Sequence, residues 1–177
     1  MNAIDLSHCF LKKPVTSLET LVLTCALAEA ERVGARPLLR GLSPEDLDAL
    51  CARNLPGYRP LGDSTGNLAI DEFEELYALL LDHADPLDDT AIWLAAAMAS
   101  AAQRPNHLWQ DLGLPSRQEL SDILEMRFPR LAALNRENMK WKKFFYRQLC
   151  ERAGVPICKS PHCVDCVDKL LCFGAEI

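Results

Sequence analysis

The segment TAIWLAAAMASAAQ, residues 90–103, decides the fold class. Alanine has the highest intrinsic helix propensity, and the apolar residues of this segment surround the helix axis almost completely. The longest apolar run, residues 91–102, is broken only by Ser100 and is shorter than the roughly 20 residues that a membrane-spanning helix needs. We therefore expect these residues to form the buried central helix of a soluble protein without a membrane segment.

Five further segments show either helical periodicity of their apolar side chains or a helix-capping pattern. They cover residues 17–33, 43–54, 71–83, 116–127 and 136–152, and a shorter segment covers residues 129–134. No segment has the alternation of valine, isoleucine and threonine that is typical of strands. The sequence thus predicts an all-α bundle of about six helices. With 177 residues, 49% of them apolar, the chain suits a single helical domain spanning residues 1–177.

Capping residues mark where three of these helices begin. Ser43 precedes Pro44 and two acidic residues, which is typical of a helix N-terminus. Asp71 and Ser116 each stand three residues before a glutamate, the spacing of a capping box, in which each side chain bonds the backbone of the other residue. We expect capping boxes at both positions.

The charge distribution limits the classes of function. The formal net charge of −6 argues against general nucleic-acid binding, which usually requires a basic surface. Residues 1–20 lack the apolar core of a secretory signal, so we expect a cytoplasmic protein. Residues 136–152 differ from the acidic average, with six Lys or Arg against two Glu.

Four of the eight cysteines lie close together, in residues 158–172. Cys158, Cys163, Cys166 and Cys172 have the spacing C-x4-C-x2-C-x5-C. Such a cluster in a reducing compartment favours metal ligation over disulfides. We therefore predict a metal-binding loop over residues 155–174. The spacing alone leaves both an iron-sulfur cluster and zinc open, with the iron-sulfur cluster favoured.

The remaining candidate ligands carry a weaker pattern. His162 is interpreted as an exposed loop histidine. Cys9, Cys25 and Cys51 are isolated in sequence and are interpreted as ordinary thiols, since lone cysteines often act as small buried apolar residues. Cys150 is nearer the loop and stays a weak candidate.

Four basic residues precede the cysteine loop at helical spacing. Arg136, Lys140, Lys143 and Arg147 would share one face of the predicted helix 136–152. The simpler interpretation is a solvated basic stripe on an amphipathic helix. The functional hypothesis is that this stripe attracts an oxyanion or an acidic partner near the metal loop.

Three motifs resemble the NifQ nitrogen-fixation protein family. They are HLWQDLGL at residues 107–114, FPRL at 128–131, and MKWKKFFYRQLC at 139–150 together with the cysteine spacing and the Phe-Gly that follows it. The resemblance is specific over residues 90–174. It implies that Cys158, Cys163, Cys166 and Cys172 hold an iron-sulfur cluster that contains molybdenum.

The resemblance also implies a role and partners. Such a protein is a molybdenum carrier rather than an enzyme, and it donates the metal to assembly of the iron-molybdenum cofactor of nitrogenase. Its expected partners are a cofactor-assembly scaffold, the nitrogenase iron protein, and molybdate or another molybdenum source. The alternative is a structural zinc-binding module for protein interaction, in which four thiolates hold one tetrahedral zinc ion. A redox role for the cluster is a third interpretation.

Overall fold

The prediction of an all-α fold is confirmed. The structure is a computed structural model that describes residues 17–60, 71–155 and 169–176, and these residues form nine α-helices and no strand. The helices are α1 (Leu18–Arg32), α2 (Pro44–Asn54), α3 (Phe73–His83), α4 (Asp89–Ala102), α5 (Leu108–Asp111), α6 (Arg117–Arg127), α7 (Pro129–Ala132), α8 (Trp141–Arg152) and α9 (Lys169–Phe173).

Six of these helices have 11 residues or more and correspond to the six longer predicted segments. The others, α5, α7 and α9, have four or five residues each. None of the helices in the described ranges is long and apolar enough to cross a membrane. That residues 1–177 form a single domain stays a prediction, because residues 1–16 and 61–70 lie outside the described ranges.

Helix α4 is the centre of the core. Ten of its 14 residues are buried, and it packs most extensively against α3 and α1. Its alanines let neighbouring helices approach closely, while Leu94 and Met98 are fully buried. Burial of each such large side chain contributes about 1.5–3 kcal/mol, so the alanine-rich segment is stabilised mainly by what packs around it.

Side-chain caps fix the starts of four long helices. The side chains of Ser17, Ser43, Asp88 and Ser116 each accept a hydrogen bond from a backbone N–H of the helix that follows. The predicted capping box at Asp71 is wrong. Glu72 is the residue before α3 and its side chain makes no cap bond. Asp71 Oδ1 accepts a hydrogen bond from the Phe73 N–H at 3.2 Å, and Asp71 Oδ2 pairs with Arg40 Nη1 at 2.6 Å. The carboxylate thus bonds the start of α3 and a distant cation, and no reciprocal bond with Glu74 forms.

The capping box at Ser116 is formed only in part. Ser116 Oγ accepts a hydrogen bond from the backbone N–H of Gln118 at 3.1 Å and donates one to the Glu119 carboxylate at 2.6 Å. Ser116 Oγ thus bonds the N–H of the second helical residue, whereas in a full box it would accept from the third, Glu119. The predicted helix start at this position is nevertheless confirmed.

The last long helix begins later than its charge pattern predicts. Helix α8 starts at Trp141, so Arg136 lies in a turn and Lys140 is the residue before the helix. Asn135 accounts for the difference, since its side chain accepts from the Met139 N–H at 2.8 Å and donates to the Met139 C=O at 2.9 Å. Asn138 adopts φ +55°, which an asparagine tolerates and a helix does not. These local bonds replace the helical ones that periodicity suggests.

Candidate metal centre and the adjoining cleft

Of the four predicted ligands, the structure describes only Cys172. Cys158, Cys163 and Cys166 lie outside the described residues, as do Cys9 and His162. Cys172 is half-buried on α9 and packs against the core together with Phe173. Within the described ranges, no group of three or more potential ligands is close enough to hold a metal. The metal-binding loop therefore stays a prediction, and its donor set of thiolates fits both an iron-sulfur cluster and zinc.

Helix α9 is attached to the start of α8. The backbone N–H of Lys140 donates to the C=O of Cys172 at 2.8 Å, and Lys140 Nζ lies 3.4 Å from the C=O of Leu170. The side chains of Leu170 and Leu171 are exposed. The backbone of Cys172 is thus bonded to the start of α8. This bond positions one predicted ligand relative to the helical core.

Arg117 joins the same region to α6. Its Nη2 donates to the C=O of Asn138 at 3.3 Å and to the C=O of Met139 at 3.0 Å. Its Nε lies 3.8 Å from Glu176 Oε1, and the Glu176 side chain is only 5% exposed. Arg117 therefore contacts both the turn before α8 and the residues after α9.

Two other cysteines are poor ligands. Burial, with a smaller effect of nearby Asp48, raises the pKa of Cys51 to about 11. Burial, with a smaller effect of Glu119, likewise raises the pKa of Cys25 to about 11. Both thiols are therefore protonated at neutral pH, and neither belongs to a group of three or more potential ligands among the described residues. Their interpretation as ordinary thiols is supported.

Cys150 lies away from Cys172. It is ten positions after Lys140, which corresponds to about 15 Å along a helix at about 1.5 Å per residue. Since Lys140 bonds the backbone of Cys172, the two cysteines lie near opposite ends of α8. This separation argues against a shared metal ion for Cys150 and Cys172 in the described arrangement.

A buried ion pair connects two of the sequence motifs. Lys142 Nζ contacts Asp111 Oδ2 at 2.5 Å, with side-chain exposures of 15% and 2%. Lys142 also donates to the C=O of Arg104 at 2.6 Å and to the C=O of Asn106 at 2.5 Å. Burial lowers the pKa of Lys142, while Asp111 opposes that shift. This ion pair connects the segment 107–114 to the start of α8. Lys142 lies two positions after Lys140, whose backbone bonds Cys172.

Sequence reasoning missed this ion pair, although a signal was present. Lys142 is three residues before Phe145, which is fully buried, and residues three apart lie on the same helix face. A lysine on an apolar face needs a partner, but its partner is 31 positions away in sequence. The periodicity could therefore identify Lys142 as unusual without identifying Asp111.

The predicted basic stripe divides into two parts. Lys140 and Lys143 line a cleft of about 500 Å³ with residues of the 105–110 segment and with Leu171 of α9. Arg136 and Arg147 do not line it. Arg136 lies in the turn before α8, and Arg147 pairs with Glu151 at 2.9 Å. The four residues therefore do not form one helical face, and a role for all four in attracting an anion or a partner stays a prediction.

Comparison with known proteins agrees with the motif resemblance. The family model described as NifQ matches residues 20–174. Protein NifQ of Rhodobacter capsulatus is 41% identical over 167 residues, which cover 92% of this chain and 93% of that protein. Protein NifQ of Klebsiella pneumoniae is 40% identical over 148 residues, covering 79% and 89%.

Protein NifQ of Azotobacter vinelandii is 50% identical over 107 residues. That match covers 60% of this chain and 55% of the Azotobacter protein, a little over half of its length. No solved structure shows a significant match to the chain.

Proposed function

Because the chain belongs to the NifQ family of nitrogen-fixation proteins, we propose that it carries molybdenum for assembly of the iron-molybdenum cofactor of nitrogenase. The observation that carries the proposal is the family match over residues 20–174, which contains all four residues of the cysteine motif. The protein acts as a carrier and not as an enzyme. It works in the cytoplasm with a cofactor-assembly scaffold and the nitrogenase iron protein.

The thiolates of Cys158, Cys163, Cys166 and Cys172 would hold the iron-sulfur cluster. When bound, the cluster would supply the sulfide ligands of iron and molybdenum, and the cysteines would supply the thiolates. Both are the soft sulfur ligands that such clusters use. The attachment of α9 to Lys140 supports this role, because a fixed ligand reduces the entropy lost when a site forms. We propose that three of the four cysteines hold iron and that the molybdenum position has an exchangeable ligand, so that the metal can leave.

Metal analysis of the anaerobically purified protein tests the proposal. We expect iron, acid-labile sulfide and molybdenum in the native protein, together with an EPR signal from the cluster. Serine variants of three of the four motif cysteines should lose iron, and the fourth should retain iron while losing molybdenum. The matched control is Cys150→Ser, which should retain both metals because Cys150 lies near the other end of α8 from Cys172.

Two metal contents would contradict the proposed function, and one pattern among the variants would contradict the proposed division among the cysteines. Stoichiometric zinc with neither iron nor sulfide would indicate the structural zinc module instead. Iron without molybdenum, when molybdate is supplied and no scaffold acceptor is present to remove the metal, would indicate an electron-transfer cluster. Equal loss of iron in all four variants, with no selective loss of molybdenum in any of them, would rule out the proposed division among the cysteines.

A further inference from the structure

A polar cleft lies between the segment 105–110 and the start of α8. Asn106, His107 and Gln110 line one side, Lys140 and Lys143 line the other, and Leu171 of α9 is adjacent. Leu171 directly precedes Cys172, whose backbone is bonded to Lys140. A molecule in this cleft would therefore lie next to the described cysteine of the predicted metal site.

Two charged residues that also line the cleft, Lys142 and Glu176, have partners of opposite charge within the protein. The ammonium of Lys142 has three protons and three oxygen partners, namely Asp111 and the C=O groups of Arg104 and Asn106. The carboxylate of Glu176 is almost fully buried and lies 3.8 Å from Arg117. Neither group contributes a free charge to a ligand in the cleft.

Lys140 and Lys143 are not compensated in this way. No carboxylate of the described residues forms an ion pair with either, and Lys143 is exposed. Lys140 Nζ has one long contact, 3.4 Å to the C=O of Leu170, which leaves protons available for another acceptor. Lys140 precedes α8 and Lys143 lies in its first turn, and both residues line the same cleft. Among the described residues, the cleft therefore has about two positive charges without a paired carboxylate.

The start of α8 adds to this positive potential. No side chain from the described parts of the chain caps the helix, and its first turn contains no acidic residue. A helix N-terminus has a partial positive charge and favours anions, so lysines at this position are unfavourable unless an anion compensates them. The sequence places Lys140, Lys142 and Lys143 there.

We infer that this cleft binds a small tetrahedral oxyanion with two negative charges, the class to which molybdate belongs. The choice of molybdate rests on the proposed function, whereas the preference for a dianion rests on Lys140, Lys143 and the end of α8. The cleft thus receives molybdenum as an oxyanion beside Cys172. The inference concerns binding only and requires no change in the oxidation state of the metal.

The size of the cleft predicts moderate affinity. Its volume of about 500 Å³ equals that of roughly 17 water molecules at about 30 Å³ each. An oxyanion would therefore enter with part of its hydration shell and remain partly screened by salt. We expect molybdate binding to weaken as ionic strength rises. Other tetrahedral dianions, such as sulfate, should compete for the cleft.

Equilibrium dialysis of the metal-free full chain against molybdate tests the inference. Lys143→Gln should weaken binding about 10-fold, which corresponds to about 1.4 kcal/mol, and Lys140→Gln should weaken it similarly. Lys143→Gln is the cleaner variant because Lys140 also contacts Leu170. The matched control is Arg136→Gln, which removes the same charge outside the cleft and should change affinity less than 2-fold.

The results that overturn the inference differ from those that overturn the proposed function. Absence of saturable molybdate binding, native affinity in Lys143→Gln, or an equal loss in Arg136→Gln would each refute the cleft as the binding site. Dialysis needs no cluster, so oxyanion binding by a protein that never acquires iron and sulfide would support the cleft and refute the proposed function. A molybdenum-containing cluster in the native protein, with unaltered oxyanion binding in both lysine variants, would support the proposed function and refute the cleft.

Discussion

Replacing Lys142 with methionine should destabilise the protein, because it leaves the buried carboxylate of Asp111 without its cation. The side chains have similar length, so the change removes the charge and hydrogen bonds while retaining most of the packing. Asp111 would keep only the hydrogen bond from Asn106 at 3.0 Å, although its side chain is 2% exposed. The C=O groups of Arg104 and Asn106 would also lose their lysine partner.

The expected loss follows from this burial. Removing one partner of a buried ion pair costs about 3–5 kcal/mol, and the 15% exposure of Lys142 favours the lower end. A loss of about 3 kcal/mol is a large part of a typical total stability of about 5–15 kcal/mol. For a chain of this size, about 1 kcal/mol shifts the melting temperature by about 2–4 °C, so Lys142→Met should melt about 6–12 °C lower.

Thermal and urea unfolding followed by circular dichroism would measure this loss. The matched control is Lys143→Met, one position later on an exposed part of the helix, which should change the free energy of unfolding by less than about 0.5 kcal/mol. Hydrogen exchange adds a local measurement, because the Lys140 amide that donates to Cys172 should exchange faster in Lys142→Met. Equal stabilities of the two lysine variants would refute the role assigned to the buried pair.

Two further predictions test other contacts, the first with its control variant. Gly113→Ala should destabilise by about 2–3 kcal/mol in urea unfolding, because φ is +68° and a Cβ would lie 3.1 Å from the C=O oxygen of Cys25. Gly34→Ala, at φ +70° with no neighbour within 4 Å, should cost only about 1 kcal/mol, and an equal cost at both sites would show that the contact is unimportant. The hydrogen bond from Arg127 holds the pKa of Asp88 below its ordinary value. The charged form therefore stabilises the fold above about pH 4, and this contribution is lost as pH falls through the lower folded pKa. Asp88→Asn keeps an N-cap acceptor, so it should lose about 1 kcal/mol at pH 7 and show a shallower decline in stability toward pH 3 than the native protein. An unchanged decline would assign the acid sensitivity to other carboxyls.

The helical elements could be predicted because their signals are local. Ser17, Ser43 and Ser116 cap the helices that they precede in sequence, and the alanines of α4 determine both its helicity and its burial. Failures occurred where a distant or competing bond decided the structure. Asp71 divides its carboxylate between Arg40 and the Phe73 N–H, and the side chain of Asn135 closes a turn where the charge spacing suggested a helix.

The candidate site was less predictable than the fold. The cysteine spacing predicts a set of four thiolate ligands, but three of the four lie outside the described residues. The bond between Lys140 and Cys172, and the pair formed by Lys142 and Asp111, join residues that are 32 and 31 positions apart. One-dimensional periodicity gives no information about such pairings, so the division of the basic stripe into cleft and non-cleft residues required the structure.

The most direct test of the central proposal is X-ray absorption at the molybdenum edge of the anaerobically purified, molybdenum-loaded protein. We predict sulfur ligands and iron neighbours around molybdenum, and loss of that signature when the motif cysteines are replaced. The oxyanion cleft alone would give oxygen ligands without iron neighbours. Molybdenum surrounded only by oxygen, in a protein that also contains its iron and sulfide, would contradict the proposal that the cysteine motif carries molybdenum within the cluster.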